Sequence, residues 1–367
     1  MYSFGGYNPH IQNDDADLSD DSEWSDTRPL FRELWKFDMT LKRWLKLKTG
    51  GESPTQLASH CAVIVDRLLI VYGGTGVPFG QSSSNFIYTC NLDSLMWQKM
   101  PVSEKSVHAH QPIEQYGQAI AVDTDECCLY VIGGTTGYRY TIDVHKFCFK
   151  THTWSELYRK IWGNSSFPEE RYRHEVVLYK KKLYVFGGGT ADNCFGFKDV
   201  GEFDLKTRSW SALTTIADTI ENTYPIARRC HGCVQLGNEI YIVGGIDGTE
   251  ICGDMWRLNL DTRQWTRITE KMPLPVYFHG TAVSPSGQMF VFGGVNSTPH
   301  NTRNNDLYSV WLEKPPLKDL AWQALVSFCD MSSLGKASPE ELIKLGIPLY
   351  YIRRLHGISA LQPALPS

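Results

Sequence analysis

Tyr241-Ile242-Val243-Gly244-Gly245 is the stretch that decides the fold of this chain. Its aromatic and β-branched residues predict a buried strand, and the Gly pair supplies positive φ where the backbone must pass close to a crowded axis. Short apolar runs end in a Gly pair at five further places, whose first glycines are Gly5, Gly73, Gly133, Gly187 and Gly293. Successive pairs lie 49 to 68 residues apart, which is typical of a propeller or a solenoid array.

Two further registers complete the repeat. Asp254 lies eleven residues before Trp265, and the same spacing joins residues 33, 86, 143 and 199 to a later Trp. These positions predict a third and a fourth strand in each unit. A first strand is opened by a histidine 13 or 14 residues before the first Gly in four units, at His60, His174, His231 and His279. Four antiparallel strands per unit are the blade of a β-propeller.

Composition limits the classes of function. The chain has 367 residues, with 36 Lys and Arg against 40 Asp and Glu, a formal net charge of −4. We therefore expect no nucleic-acid binding driven by overall positive charge. No apolar run approaches the roughly 18 residues of a membrane span, and the N-terminus shows no secretory signal pattern. The ten cysteines are interpreted as reduced residues, which predicts a cytoplasmic or nuclear protein. Seven acids and no base within residues 14–26 indicate a solvated acidic loop.

The repeated features resemble the kelch repeat: a Gly pair after an aliphatic strand, an aromatic residue in the third strand and a Trp in the fourth. The resemblance covers residues 1–313 and implies an all-β, six-bladed kelch β-propeller, followed at 314–367 by a small α-helical segment. The first and last blades are incomplete, because the chain opens on a second strand and Trp311 aligns with Asn259 rather than with Trp265. We expect either a preceding N-terminal segment or hydrophobic packing alone to close the ring.

The C-terminal segment has a different pattern. After Pro315-Pro316 apolar residues recur at helical spacing. Ser338-Pro339-Glu340-Glu341 predicts a capped helix start, and Pro348 opens a further helix. Helices this short cannot bury both faces by themselves, so we expect this tail to contact either a partner or the propeller wall. A bundle that packs on blade six remains the alternative.

Residues 320–328 resemble a BC box, the helix that docks on Elongin C in VHL-box and SOCS-box proteins. The pattern falls on Leu320, Ala324 and Phe328, with Leu325 beside them, and Ala324 stands where Cys is commoner.

Residues 347–355 resemble a Cullin-2 box, whose positions fall on Ile347, Pro348, Tyr351 and Leu355. The two motifs in this order, directly after a kelch propeller, imply a substrate receptor of a Cullin-2–Elongin B/C ubiquitin ligase. The implied partners are Elongin C, Elongin B and Cullin-2.

A candidate peptide site lies on the loops that surround one face of the propeller. Arg171 and Arg228 each lie three residues before their histidine, with Arg173 and Arg229 nearby. Two guanidinium groups from adjacent blades could clamp one carboxylate. Pocket walls are expected from Gln115, Tyr116, Tyr138, Arg139, Tyr172, Tyr277 and Phe278. The resemblance implies recognition of C-terminal degrons, with the chain-end carboxylate and small last residues selected. The alternative is that these arginines pair with local acids such as Glu169, Glu170 or Glu221.

Other functions are weighed against this one. The four histidines could converge on a metal, but their regular placement favours a repeated structural role. Cys230 and Cys233 have CxxC spacing without a second pair. No nucleophile elbow, phosphate loop or metal motif is present. We therefore predict a non-catalytic receptor without a cofactor, with two alternatives: a scaffold that binds internal peptides, and a kelch-type enzyme. Amidation of a ligand's C-terminus would separate the receptor from the scaffold.

Overall fold

The strands form a ring of six sheets in chain order, which confirms the predicted six-bladed β-propeller. The predicted acidic loop at 14–26 lies outside the described residues. The computed structural model describes residues 1–7, 30–39, 42–76, 80–107, 110–161, 167–298, 300 and 302–356.

Blades one and two begin the ring. In blade one, three antiparallel strands are described: β1 (Tyr2–Phe4), β2 (Leu34–Asp38) and β3 (Arg43–Leu47). Blade two has four antiparallel strands and a short fifth strand, β4, that pairs parallel to the last one. Its strands are β4 (Gly50–Gly51), β5 (Cys61–Val65), β6 (Leu68–Tyr72), β7 (Ile87–Asn91) and β8 (Met96–Lys99).

Blades three to five each have the four predicted strands. A short helix, α1 (Glu104–Val107), precedes blade three. The strands of blade three are β9 (Ala119–Asp123), β10 (Cys128–Thr135), β11 (Tyr140–Cys148) and β12 (Thr153–Tyr158). Those of blade four are β13 (Glu175–Tyr179), β14 (Lys182–Phe186), β15 (Asp199–Asp204) and β16 (Ser209–Thr214). Those of blade five are β17 (Gly232–Leu236), β18 (Glu239–Val243), β19 (Met255–Asn259) and β20 (Gln264–Ile268).

Blade six has a three-stranded sheet among the described residues and carries a small ribbon at one end. Its elements are β21 (Gly280–Val283), β22 (Gln288–Phe292), the ribbon strands β23 (Val295–Ser297) and β24 (Thr302–Arg303), and β25 (Leu307–Trp311).

The Gly pairs join each blade to the next. The second glycine of four pairs donates its N–H, at 2.9 Å, to the next blade: Gly6 to Leu57 O, Gly134 to Arg171 O, Gly188 to Arg228 O and Gly245 to Val276 O. At Gly187, with φ +55°, a Cβ would lie 2.6 Å from the Arg228 carbonyl oxygen. A side chain would therefore force the two blades apart, which is the close approach predicted from the sequence.

The ring closes through the same aromatic contact that joins other blades. The fourth-strand Trp packs on the aromatic residue just before the Gly pair of the preceding blade: Trp97 on Phe4 at 4.6 Å and Trp154 on Tyr72 at 5.8 Å between ring centroids. Trp44 makes this contact with Phe292 of blade six at 4.7 Å. Hydrophobic packing, one of the two expected modes of closure, therefore joins the first and last blades.

The tail contains short helices with an apolar cluster of their own. They are α2 (Leu317–Phe328), α3 (Met331–Leu334), α4 (Pro339–Lys344) and α5 (Leu349–Leu355). The predicted capping box at Ser338 and Glu341 is confirmed. The buried cluster consists of tail residues only among those described: Trp322, Leu342, Ile347, Ile352 and Leu355. In the part of the chain that the structure describes, no helix has the length and apolar character needed to cross a membrane.

Candidate functional site

A ring of backbone hydrogen bonds surrounds the propeller axis at one face. One residue from each of blades two to six takes part: Ser59, Gly117, Arg173, Cys230 and Phe278. Each of the last four donates its N–H to the carbonyl oxygen of the one before it, at 2.7–3.1 Å. All five have φ between +57° and +64°, a conformation costly for the four that carry a side chain. We call these five residues the mouth ring.

The residue before each member of the mouth ring lines the same face. Each one forms an antiparallel bridge with the residue that follows the Gly pair of its own blade, for example Tyr172 with Gly189. The loops before the first strands therefore meet the loops after the Gly pairs, as predicted. These rim residues are Ala58, Tyr116, Tyr172, Arg229 and Tyr277. Three tyrosines and one arginine from consecutive blades thus stand at equivalent positions.

Arg173 lies at the centre of the mouth. It belongs to blade four, yet its Nη2 donates to Ser59 Oγ of blade two. Its guanidinium also lies 4.5 Å from the centroid of the Phe278 ring of blade six. Among the described residues, Arg173 Nε has no hydrogen-bond partner. One cationic side chain therefore reaches across the opening, from blade four to blades two and six.

Two more arginines make the mouth cationic. Arg229 Nη1 donates to the carbonyl oxygens of Thr190 and Ala191. The guanidinium of Arg303 lies 5.6 Å from the Tyr7 ring centroid, and burial lowers its pKa, with the charge of Arg173 acting in the same direction. None of the ion pairs recorded for the described residues involves these three arginines. The described part of the mouth therefore suits an anionic ligand.

Glu175, beside the mouth ring, does not offset this charge at neutral pH. Burial raises its pKa to about 8, although Arg173 opposes the shift. The carboxyl is consequently protonated when the solution is neutral, and Arg173 stays without a carboxylate neighbour on its own strand.

The predicted carboxylate clamp of Arg171 and Arg228 is wrong, because both guanidinium groups are used inside the propeller wall. Arg228 is fully buried and binds Asp254 through two N–H···O bonds of 2.6 and 3.1 Å. Arg171 donates from Nη1 to Gly187 O at 2.9 Å, and Arg228 donates in the same way to Gly244 O at 3.1 Å. The alternative, pairing with Glu169, Glu170 or Glu221, is not seen either: Arg228 pairs with Asp254, Glu170 with Lys160 and Glu221 with Arg267.

Gln115 has the same structural role in blade three. It is 3% exposed, and its Nε2 donates to Gly133 O at 2.7 Å. It therefore stands where Arg171 and Arg228 stand, and it is not a pocket wall. In blades three to five, the side chain three residues before the first-strand His or Gln therefore binds the carbonyl oxygen of the first Gly of its own blade's pair.

The predicted structural role of the histidines is visible at His174. Its Nε2 lies 3.1 Å from Ile132 O of the preceding blade. Burial lowers its pKa to about 3, so the imidazole is neutral and can donate this hydrogen bond. Gln118 makes the equivalent bond to Tyr72 O at 3.2 Å. This register therefore joins neighbouring blades.

Tyr138 and Arg139 lie on the β10–β11 hairpin outside the mouth ring. Tyr138 is 88% exposed, and Arg139 is also exposed. Among the hydrogen bonds, ion pairs and ring contacts of the described residues, none joins either side chain to the mouth ring, and their part in binding stays a prediction.

The predicted Elongin C contacts fall mainly on an exposed face of α2. Leu320 is 43% and Phe328 89% exposed, and Ala324 between them is exposed too. Spacing of four residues places all three on one side of the helix. Leu325 differs, because it packs against the buried cluster of the tail.

The predicted Cullin-2 contacts are mostly inside the tail. Ile347 and Leu355 are 9% and 7% exposed, so the prediction that their side chains contact a partner directly does not fit this arrangement. Tyr351 stacks on Trp322 with ring centroids 5.0 Å apart. Pro348 is exposed and stays a candidate contact.

Ser59, Tyr7 and Arg303 belong to the mouth and were not predicted. A signal for the ring itself was present in the sequence, because its members directly precede the registered residues His60, Gln118, His174, His231 and His279. Arg303 lies on the ribbon of blade six, where its bridge to Val295 corresponds to the bridges Thr75–Ser83, Gly189–Cys194 and Ile246–Ile251 of other blades. The loops between the bridged residues differ in length, so the sequence repeat did not point to it.

Comparison with known proteins agrees with this architecture. The chain matches the KLHDC2/KLHL20/DRC7 Kelch-repeats domain over residues 1–166 and 158–325. It therefore belongs to the kelch-repeat family of β-propellers.

Within that family the chain is similar to Kelch domain-containing protein 10 of Xenopus laevis, with 39% identity over 355 residues, 97% of this chain and 82% of that protein. The protein of the same name in Homo sapiens is 38% identical, over 97% of this chain and 76% of that one. The homolog in Drosophila melanogaster is 35% identical over 378 residues, 97% of this chain and 59% of its own length.

Proposed function

We propose that this chain is the non-catalytic substrate receptor of a Cullin-2–Elongin B/C ubiquitin ligase, acting in the cytoplasm or nucleus. The propeller mouth binds the C-terminal end of a target protein, and the tail docks on the ligase. The observation that carries the proposal is Arg173, a half-buried guanidinium that reaches across the mouth ring and forms none of the ion pairs recorded for the described residues.

A chain end fits the mouth better than an internal peptide segment. A terminal carboxylate supplies the anion that Arg173, Arg229 and Arg303 lack among their recorded ion pairs, and guanidinium groups bind carboxylates in planar, charge-assisted pairs. An internal peptide bond is neutral and gains only ordinary hydrogen bonds. The tyrosines at 116, 172 and 277 stand at equivalent rim positions, and their rings would favour small last residues by steric exclusion.

The tail supports ligase docking through its exposed apolar face. Leu320, Ala324 and Phe328 lie along one side of α2. Their side chains are exposed, whereas those of the tail cluster are buried. An apolar row at this spacing is what a helix presents to a hydrophobic groove. The burial of Ile347 and Leu355 means that a Cullin-2 contact would rest on Pro348 and its exposed neighbours Leu349 and Tyr350.

The propeller half of the proposal is tested with peptides that end in Gly or Ala. A pool of fluorescent peptides with randomised upstream residues is tested with a free carboxylate and with an amidated C-terminus. We expect the amidated pool to bind at least about tenfold more weakly, because a charged hydrogen bond is lost. Equal binding of the two pools would favour the scaffold that binds internal peptides.

The docking half is tested by co-expression with Elongin B, Elongin C and Cullin-2, followed by size exclusion. Leu320→Arg should abolish the complex, because it places a charge against an apolar groove. Leu345→Arg is the matched control, since Leu345 is 69% exposed in the same tail but outside both motifs. An intact complex with Leu320→Arg would refute the docking assignment while leaving the peptide site untouched.

A further inference from the structure

Blade three carries two cysteines that face each other across neighbouring strands. Cys128 at the start of β10 and Cys148 at the end of β11 are register partners. The adjacent pair is hydrogen-bonded, since Phe149 N–H donates to Cys127 O at 3.0 Å. The Cys128–Cys148 pair is therefore the non-hydrogen-bonded kind, in which Cα atoms lie about 4.5 Å apart and side chains are closest. That separation is within the range in which a disulfide can form.

Cys148 also occupies a turn position that carries an oxygen in other blades. The equivalent residue, six before the fourth-strand Trp, is Asn91 in blade two, Asp204 in blade four and Asn259 in blade five. In each of these, Oδ1 accepts the N–H groups two and three residues further on, at 2.8–3.0 Å. In blade three a sulfur atom stands in this nest of amides.

The nest favours the thiolate form of Cys148. Hydrogen bonds from the Thr151 side chain and from the backbone of Thr151 and Lys150 lower its pKa to about 7, against the opposing effect of burial. Cys128 has the opposite environment. It is 2% exposed, and burial raises its pKa to about 11. One cysteine of the pair is thus a nucleophile and the other a protonated thiol beside it.

The pair is accessible from a cavity in the propeller wall. The cavity has a volume of about 480 Å³ and is lined by both cysteines together with Tyr130, Lys146 and Arg208, among others. Lys146 forms an ion pair with Glu126, at 2.6 Å between Nζ and Oε2. A small oxidant can therefore approach Cys148 from the cavity, while Cys128 stays behind it.

We propose that Cys148 and Cys128 form a reversible oxidation site on blade three that reacts with hydrogen peroxide. In the first step the Cys148 thiolate attacks one peroxide oxygen, the O–O bond breaks, and the departing hydroxide takes a proton to become water. Cys148 is oxidised to the sulfenic acid and the peroxide is reduced. In the second step the Cys128 sulfur attacks the Cys148 sulfur, the S–O bond breaks, and the hydroxide leaves as water with the Cys128 proton. The sum is two thiols and one peroxide giving one disulfide and two waters.

This site is independent of the mouth and of the tail. The disulfide would join strands that are already paired, so it requires no rearrangement of the sheet. All ten cysteines are free in the structure, as the interpretation of reduced residues expects; the proposal adds reversible oxidation at Cys148 and Cys128.

The experiment treats the folded full chain with a small excess of hydrogen peroxide and maps disulfides in a non-reducing tryptic digest by mass spectrometry. Because Cys127 and Cys128 lie on one tryptic peptide, the mapping uses the Cys127→Ser variant. We expect the peptide with Cys128 to be linked to the peptide with Cys148, and dithiothreitol to release the link. Recovery of both cysteines as free thiols, while other cysteines of the chain have reacted, would overturn the proposal.

Two variants keep the test independent of folding. Cys148→Asn restores the oxygen used in blades two and five, so the turn and the melting temperature should be retained while the linked peptide disappears. Cys128→Ser removes the resolving thiol, so dimedone should trap a sulfenic acid at Cys148. In that variant we expect labelling of Cys148 at least about tenfold faster than of the partly exposed Cys127. Equal or slower labelling of Cys148 would contradict the assignment.

Discussion

Arg228 offers the sharpest test of how the blades are braced. The Arg228→Ala variant removes a fully buried guanidinium and leaves Asp254 without its partner. The Asp254 carboxylate keeps the hydrogen bond from Trp256 Nε1, at 2.7 Å. The variant also leaves the carbonyl oxygens of Gly244 and Ile226 without the donors that bind them at 3.1 and 3.0 Å. Removing one member of a buried ion pair costs about 3–5 kcal/mol. We therefore expect a loss of about 4 kcal/mol in the free energy of unfolding.

Arg171→Ala is the matched control in the neighbouring blade. Arg171 makes the equivalent bonds to the carbonyl oxygens of Gly187 and Glu169 and lies 4.1 Å from the Phe195 ring centroid. No carboxylate forms a recorded ion pair with it in the described residues, and burial lowers its pKa to about 10. Its removal should cost about 2 kcal/mol, the desolvation penalty of the carbonyl groups left behind.

Urea unfolding followed by tryptophan fluorescence measures the difference between these variants. The ion pair also predicts a pH effect. Burial opposes ionisation of Asp254, but the hydrogen bonds and charge of Arg228 outweigh it, so the pKa of the carboxyl is below its ordinary 3.8. The pair's stabilisation is thus present above that value and lost as the pH falls through the folded-state pKa. This loss should be absent from Arg228→Ala. Equal destabilisation by the two alanine variants would refute the reasoning.

Three further predictions concern the ring, the axis and the tail. Trp44→Ala should lower the free energy of unfolding by about 2 kcal/mol, because it removes the contact with Phe292 that closes the ring. Urea unfolding measures this change, and an unchanged free energy would mean that closure does not depend on the Trp44–Phe292 contact. Glu175→Gln should raise the melting temperature relative to the parent more at about pH 8 than at about pH 5. Because the pKa of Glu175 is raised in the folded state, its contribution to the free energy of unfolding falls as the pH rises from 4.5 to about 8, and Gln has no such loss. A difference in melting temperature that does not change with pH would contradict this. Leu342→Ala, which removes a fully buried side chain of the tail, should speed amide hydrogen exchange in α4 and α5 while blades two to five stay protected; exchange that accelerates equally in the blades would show that the tail is not a separate cluster.

The fold could be predicted from the sequence because each blade repeats the same physical requirement. A Gly pair is needed wherever two blades approach as closely as Gly187 and Arg228 do, and a Trp is needed wherever a blade packs on the one before it. These requirements leave fixed spacings in the sequence. Closure through Trp44 and Phe292 follows the same rule, although the incomplete strands of blades one and six concealed it.

The site was harder to predict because neighbouring positions in one loop have opposite roles. Arg171 and Arg173 are two residues apart, yet the first braces a glycine turn and the second crosses the mouth. Sequence spacing shows that the Arg171 position recurs at Arg228, but it does not show which way either side chain is directed. The positive φ of the mouth ring decides this, and residues such as Arg173 and Phe278 give no local sign of it, since only Gly117 among them is a residue that favours that conformation. Arg303 takes a bridge position that recurs at Ser83, Cys194 and Ile251, but the loop that leads to it differs in length between blades, which hides the equivalence in the sequence.

The most direct test of the central claim combines Arg173→Ala with amidation of a peptide that ends in Gly or Ala and binds the parent protein. Fluorescence polarisation gives the four affinities, with Arg67→Ala as the control variant because Arg67 is exposed and pairs with Asp93 in the β5–β6 turn, away from the mouth ring. If Arg173 holds the chain-end carboxylate, its removal should weaken the free peptide by about 1.5–3 kcal/mol, and amidation should then have no further effect. An Arg173→Ala protein that still discriminates the free from the amidated peptide as strongly as the parent would contradict the account.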